Sequence, residues 1–334
     1  MLCEFYHPYQ NLNFFQFIFE FFSRLLSFFT GQLSYEHLVS DEIQILVLMG
    51  VAISSGLVGT FLILRKMTML ANSLSHTILI GIVLAFVFTQ QSQQNDPHSI
   101  APMEAMLIAS LITGFLTAFL TEFLTKTGKL QEDASTGIIF TSLFALGIIL
   151  VTILTKSAHI GIEAVMGNVD ALNKDDLYWV YLIVLFNVIF IFLFFKEYVI
   201  TTFDPNLAFA LGFSPFVYNY LLMAQVSTTT ITSFRAVGVI LVLAFMTGPS
   251  LAARLLTHRL KILLLLSVFF GCFCAFIGVA LTRHILTVYG MALSTSGVVV
   301  STILVFYLLI VLFTSKQRFL SRKMINLEIA KNDF

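Results

Sequence analysis

Hydrophobic residues in this chain fall in runs too long and too unbroken for a soluble core. Apolar segments read at about 43–64, 74–89, 104–125, 135–155, 177–195, 216–234, 236–252, 262–282 and 292–314, with short polar stretches between them. Runs near 20 residues match what a helix needs to cross a hydrocarbon layer of about 30 Å. Each is expected to be helical, because lipid offers an unpaired backbone N–H or C=O no partner. The pattern predicts an all-α, polytopic bundle of about nine membrane segments over 43–316, followed by a basic tail at 317–334. Ahead of the bundle lies an extension, 1–42, whose aromatic stretch from Phe14 to Phe29 carries Glu20 and Arg24 one turn apart. It reads as an amphipathic helix lying on the lipid surface, with a tenth span as the alternative.

Composition agrees with this reading. The 334 residues are 58% hydrophobic and 11% charged, with a mean hydropathy of +0.94, against about 25% charged residues in soluble domains. Nothing points to a nucleic-acid partner. No cleavable signal peptide is expected, since the aromatic N-terminus carries Glu4, Glu20 and Arg24 without a small-residue cleavage site. Cys3, Cys272 and Cys274 are too few for a disulfide framework and read as packing residues.

The cations orient the helices. One set of connections and the C-terminal tail hold Arg65, Lys66, Lys126, Lys129, Lys196, Arg254, Arg259, Lys261, Lys316, Arg318, Arg322, Lys323 and Lys331; the other set holds Lys156, Lys174 and Arg283. By the positive-inside rule the first set faces the cytoplasm. Lys196 and Arg254 then lie on one side, so the chain between them crosses an even number of times. Residues 216–252 must form two short passes or a re-entrant pair, turning near Arg235 and Gly238. The preceding run Ser227–Ser233 either packs helices together or lines a wet cavity.

Nucleotide and hydrolase chemistry is missing. Gly128-Lys129 is followed by Leu130 with no glycine five residues earlier, so no phosphate-cradling loop forms. No His-Glu-x-x-His or Gly-x-Ser-x-Gly occurs. The chain is not expected to be an enzyme. Two polar features remain. Asn72 and His76 follow Arg65-Lys66 and lie one helical turn apart. They either ligate a divalent cation in transit or cap a helix and reach for water. The second feature, Gly248–Lys261, passes from small residues to a basic amphipathic stretch. It is either a docking element for a soluble partner or an ordinary basic loop. Glu132-Asp133 complement a helix dipole, and His98, His159 and Glu163 fall in outside loops.

Five blocks in order resemble the metal-ion permeases of bacterial ABC importers, the zinc/manganese/iron class. They are Gly59–Met67 leading to His76, Glu132–Phe140 with Phe144–Gly147, Met166–Val169, Phe203–Gly212, and Ala236–Leu256. The resemblance covers Tyr35 to Ser315 and implies a fold similar to the cobalamin and siderophore importer permeases. It implies a multi-pass protein of the bacterial inner membrane, with a second permease copy or a related permease as its dimer partner and membrane lipid around it. Cytoplasmic ABC ATPase subunits and an extracytoplasmic metal-binding protein are the other implied partners. The divalent metal ion is cargo, with no stably bound cofactor. The resemblance implies that Asn72 and His76 belong to the metal path, and that Pro249, Arg254, His258 and Arg259 belong to the ATPase-coupling segment. Two positions depart from the family pattern: Asn72 stands for an Asp, and Ile80 for a Pro. Losing that carboxylate weakens the expected hold on a cation. The rival readings are a secondary transporter driven by an ion gradient and an intramembrane enzyme.

Overall fold

The computed structural model describes residues 8, 9, 12–30, 38–69, 72–74, 77, 80, 81, 83, 84, 103–155 and 169–332. Its helices are α1 (Phe14–Phe29), α2 (Ser40–Leu64), α3 (Met103–Gly128), α4 (Glu132–Thr155), α5 (Lys174–Leu193), α6 (Phe195–Phe203), α7 (Pro205–Ala210), α8 (Pro215–Val237), α9 (Val239–Leu256), α10 (Leu260–Tyr289) and α11 (Thr295–Asn332). A 3-10 turn, Val169–Ala171, precedes α5. No strand occurs among the described residues.

Six described helices are long and apolar enough to cross a membrane: α2, α3, α5, α9, α10 and α11. The nine expected segments are therefore not all found. Residues 134–150 of α4 form an apolar helix shorter than that criterion. The 23 residues of α8 are long enough, but their Ser/Thr run and Gln225 dilute the hydropathy. Most of 74–89 lies outside the described residues, as do His76, His98, His159 and Glu163. α11 continues from the candidate span through 317 to Asn332.

The centre of the bundle is α2, and contacts along it set the direction of its neighbours. Tyr181 Oη donates to the Leu46 carbonyl at 3.3 Å and Asn187 Nδ2 to Ser54 Oγ at 2.5 Å, so α5 runs parallel to α2. Met246 lies against Gly59, and Arg254 Nη1 donates to the Ile63 carbonyl at 3.5 Å, so α9 is parallel too. Ser267 Oγ donates to the Gly56 carbonyl at 2.9 Å, while Cys272 Sγ is 3.8 Å from the Met49 carbonyl, so α10 is antiparallel. Thr229 meets Ser54 and Asn219 meets Arg65, so α8 is antiparallel as well. Consecutive helices α8 and α9 thus run in opposite senses, as the cation count requires. The turn is Gly238, at φ 86° and ψ 162°, a backbone state that side chains with a Cβ rarely enter.

Small residues let these helices close up. A Cβ on Gly59 would overlap the Met246 carbonyl, one on Gly248 the Ile303 side chain, and one on Gly278 would lie 2.5 Å from Val299. This is the packing expected where lipid supplies no hydrophobic drive between helices. Hydroxyls add cross-links: Ser250 and Ser267 are 3.0 Å apart beside Gly56, all buried. Cys274 is fully buried, in line with a packing role.

Candidate functional site

The cation-bearing end of the bundle is built around Arg65. α2 ends at Leu64, and Lys66 takes a left-handed φ of 61° that turns the chain back toward the layer of helices. Arg65 is held at this corner by three neutral acceptors. Its Nε donates to Thr202 Oγ1 at 3.0 Å, Nη2 to Thr201 Oγ1 at 3.0 Å and Nη1 to Asn219 Oδ1 at 3.1 Å. One planar guanidinium therefore ties α2 to α6 and α8. Desolvation pushes its pKa down to about 10, which leaves it cationic at neutral pH.

Beyond this corner the chain re-enters beside α3. Leu74 Cδ2 lies 3.8 Å from where a Cβ on Gly114 would sit, and a Cβ on Gly81 would meet Thr113 and the Ala109 carbonyl. The segment therefore runs antiparallel to α3, away from the cation-rich end. Tyr220 Oη donates to Glu122 Oε2 at 3.0 Å near that end, while Ser227 packs on Gly114 further in. Leu74 thus meets α3 at Gly114, about two turns in from Glu122. Asn72 is exposed on that turn, and Ser73 beside it is buried. Buried Ser73 and Ser227 have no hydrogen-bond partner for their hydroxyls among the described residues. His76 lies outside those residues, so the structure does not bring the expected pair together. Among the described residues no group of three or more His, Cys, Asp or Glu side chains could hold a metal.

The Ser227–Ser233 run is buried throughout. Thr229 packs, accepting from Asn187 Nδ2 at 2.7 Å. Thr228 and Thr230 donate back to the Ala224 and Val226 carbonyls of their own helix. The Ser227 and Thr232 hydroxyls are buried without a partner among the described residues. Sequence reading missed Asn187, although a lone amide within the apolar run 177–195 is the signal that should have found it.

The residues expected to couple to an ATPase fall in two settings. Pro249 is buried inside α9, with Arg254, His258 and Arg259 exposed at the cation-rich end. Residues 257–259 form the connection to α10, and Lys261 Nζ sits 5.9 Å from the Phe195 ring at the start of α6. A feature not expected as a site lies on the same end. Asp204 Oδ1 caps the short helix α7, accepting from Asn206 N at 3.1 Å and Leu207 N at 3.0 Å. Around it Phe203, Leu207, Phe209, Leu211, Phe216 and Val217 are all exposed, Phe209 by 76%.

Comparison with known proteins places this geometry. A family model described as the ABC 3 transport family matches residues 40–314. The chain is 40% identical over 311 residues to the "Probable metal transport system membrane protein" of Chlamydia trachomatis serovar D, covering 93% of this chain and 95% of that one. It is 36% identical over 241 residues to the manganese transport system membrane protein MntD of Bacillus subtilis, covering 68% and 78% of the two chains. A solved structure, PsaBC from Streptococcus pneumoniae in complex with Fab, superposes with a TM-score of 0.71 at 27% identity, covering 92% of this chain and 99% of that one.

Proposed function

The chain belongs to the ABC 3 transport family, and from that premise we propose that it is the permease subunit of an importer for a divalent transition-metal ion. Manganese is the first candidate among manganese, zinc and iron, because MntD is named for manganese and a carbonyl oxygen such as that of Asn72 suits it. The observation that carries the reading is the re-entry at Arg65–Leu74. It brings Leu74, two residues after Asn72, against Gly114 of α3, which Ser227 also meets, and the Ser73 and Ser227 hydroxyls are buried without a partner among the described residues. Cations cross where ligands are few and exchange is quick. Asn72 and His76 supply such ligands without a carboxylate, so the ion passes without being trapped.

ATP is hydrolysed by separate cytoplasmic subunits gripping the cation-rich end. Arg254 and Arg259 supply charge, His258 supplies a polar contact, the exposed apolar side chains around α7 supply contact area, and buried Pro249 shapes the end of α9. An extracytoplasmic metal-binding protein delivers the ion at the opposite end, and a second permease copy or a related chain completes the pore in the bacterial inner membrane. A gradient-driven carrier is disfavoured, because the Asp and Glu side chains of the six candidate spans lie within their terminal two turns, Glu122 paired with Lys126, and none stands at mid-depth as a proton relay. The experiment is competition uptake by the complex reconstituted with its ATPase. Excess unlabelled manganese should abolish labelled manganese entry, while calcium should not. Entry indifferent to every transition metal would overturn the reading.

A further inference from the structure

The N-terminal helix α1 lies ahead of the residues matched by the family model, and its surface divides into three stripes. At 100° per residue each covers roughly a third of the circumference. Phe17 and Phe21 lie on the first, together with Phe14 and Leu25, and Phe17 and Phe21 are buried. Phe15, Phe19, Phe22 and Leu26 form the second and are exposed by 81%, 76%, 56% and 69%. Gln16, Glu20, Ser23 and Ser27 form the third, all polar, with Gln16 and Ser23 exposed.

The buried stripe fixes where α1 sits. Phe14 meets His284 edge-on at 6.2 Å, and Phe21 and Phe22 reach Phe276 at 5.3 and 5.7 Å, so α1 follows α10 over about two turns. Polar contacts pin it to the ends of two candidate spans. Glu42 Oε1 at the start of α2 accepts from Tyr9 Oη at 2.7 Å and from Arg24 Nε at 2.5 Å. Next to it Asp41 pairs with Arg283 near the end of α10 at 3.3 Å. These ends lie opposite the cation-rich end. A 16-residue helix is about 24 Å long, short of the roughly 30 Å needed to span.

We propose that α1 is a strap in the outer leaflet that begins at the interface and leans along α10. Its Phe15–Phe19–Phe22–Leu26 stripe faces acyl chains, its Gln16–Glu20–Ser23–Ser27 stripe faces headgroups and water, and its third face clamps the outer ends of α2 and α10. The partner is the lipid surface itself. Three observations select it: the pinned depth at the polar ends of two spans, the apolar stripe continuing the exposed Phe273 and Leu281 of α10, and a polar stripe that a helix sunk fully in hydrocarbon could not keep. The inference stands on the membrane reading alone and is independent of the cargo.

The test uses the full chain in phosphatidylethanolamine/phosphatidylglycerol vesicles, with the single tryptophan, Trp179, replaced by Phe. Phe19→Trp and Phe15→Trp, aromatic exchanges on an exposed face, report the apolar stripe, and Ser23→Trp reports the polar one. Trp at 19 or 15 should emit in the blue, lose most of its emission to a lipid carrying a nitroxide high on its acyl chain, and ignore aqueous iodide. Trp at 23 should be quenched by iodide. Strong iodide quenching at 15 and 19 would overturn the proposal. So would emission there that neither reagent touches, because a second copy or another protein would then cover the stripe.

Discussion

Asn187 Nδ2 lies 2.7 Å from Thr229 Oγ1 and 2.5 Å from Ser54 Oγ, joining α5, α8 and α2 through one fully buried amide. In lipid such a bond is worth about 0.6 to 2 kcal/mol. Asn187→Ala removes both amide bonds, leaving Ser54 and Thr229 only their 3.4 Å contact with each other, and should lower stability by about 1–2 kcal/mol, read as an earlier thermal midpoint of the detergent-purified protein. Asn187→Asp at neutral pH should be worse, since an ionised carboxylate there has no cation beside it among the described residues. Equal midpoints for wild type and Asn187→Ala would remove the cluster from the account.

Arg65 is the joint between the end of α2 and the helices of the cation-rich end. Each of its bonds involves a charged donor and is worth about 1.5–3 kcal/mol when its partner stays buried. Arg65→Ala should therefore destabilise strongly and cut uptake. Arg65→Lys keeps the charge but cannot reach Thr201, Thr202 and Asn219 at once, so it should recover only part of the midpoint. Full recovery by Lys would show that charge alone matters.

Glycines give a graded packing test. Gly59→Ala forces α2 off α9 at the Met246 carbonyl, and Gly114→Ala forces α3 off Ser227. Overpacking of this kind costs about 1–3 kcal/mol. A Cβ on Gly137 meets nothing within 4 Å, so Gly137→Ala should be neutral or slightly stabilising. Thermal midpoints of the three variants should order accordingly.

Asn72 carries the clearest functional prediction. Asn72→Asp supplies an anionic ligand and should lower the manganese concentration at half-maximal uptake, while His76→Ala should reduce uptake with expression unchanged. If both variants transport as wild type does, the turn is a helix cap and the ion passes elsewhere.

The helical membrane class could be read from the chain because apolar runs near 20 residues have few other uses. The α8–α9 reversal followed from charge placement before any contact was known. Other features had no local signature. The Glu20–Arg24 spacing suggested a pair within α1, yet Arg24 Nε reaches Glu42, 18 residues away. The Arg65 clasp joins residues 136, 137 and 154 positions apart, and no periodicity encodes such distances. In α8, hydroxyls serving packing lowered the hydropathy that marks a span. Of the exposed apolar side chains around α7, Leu207 and Phe209 stand in a short helix whose sequence alone reads as a cap and turn.

The central claim is that this chain moves metal only when a separate ATPase drives it. The most direct measurement is manganese entry into proteoliposomes holding the permease, with and without the ATPase subunit and Mg-ATP. The account predicts saturable entry with both present and none when either is left out. Entry through this chain alone, driven by an imposed ion gradient without ATP, would contradict it.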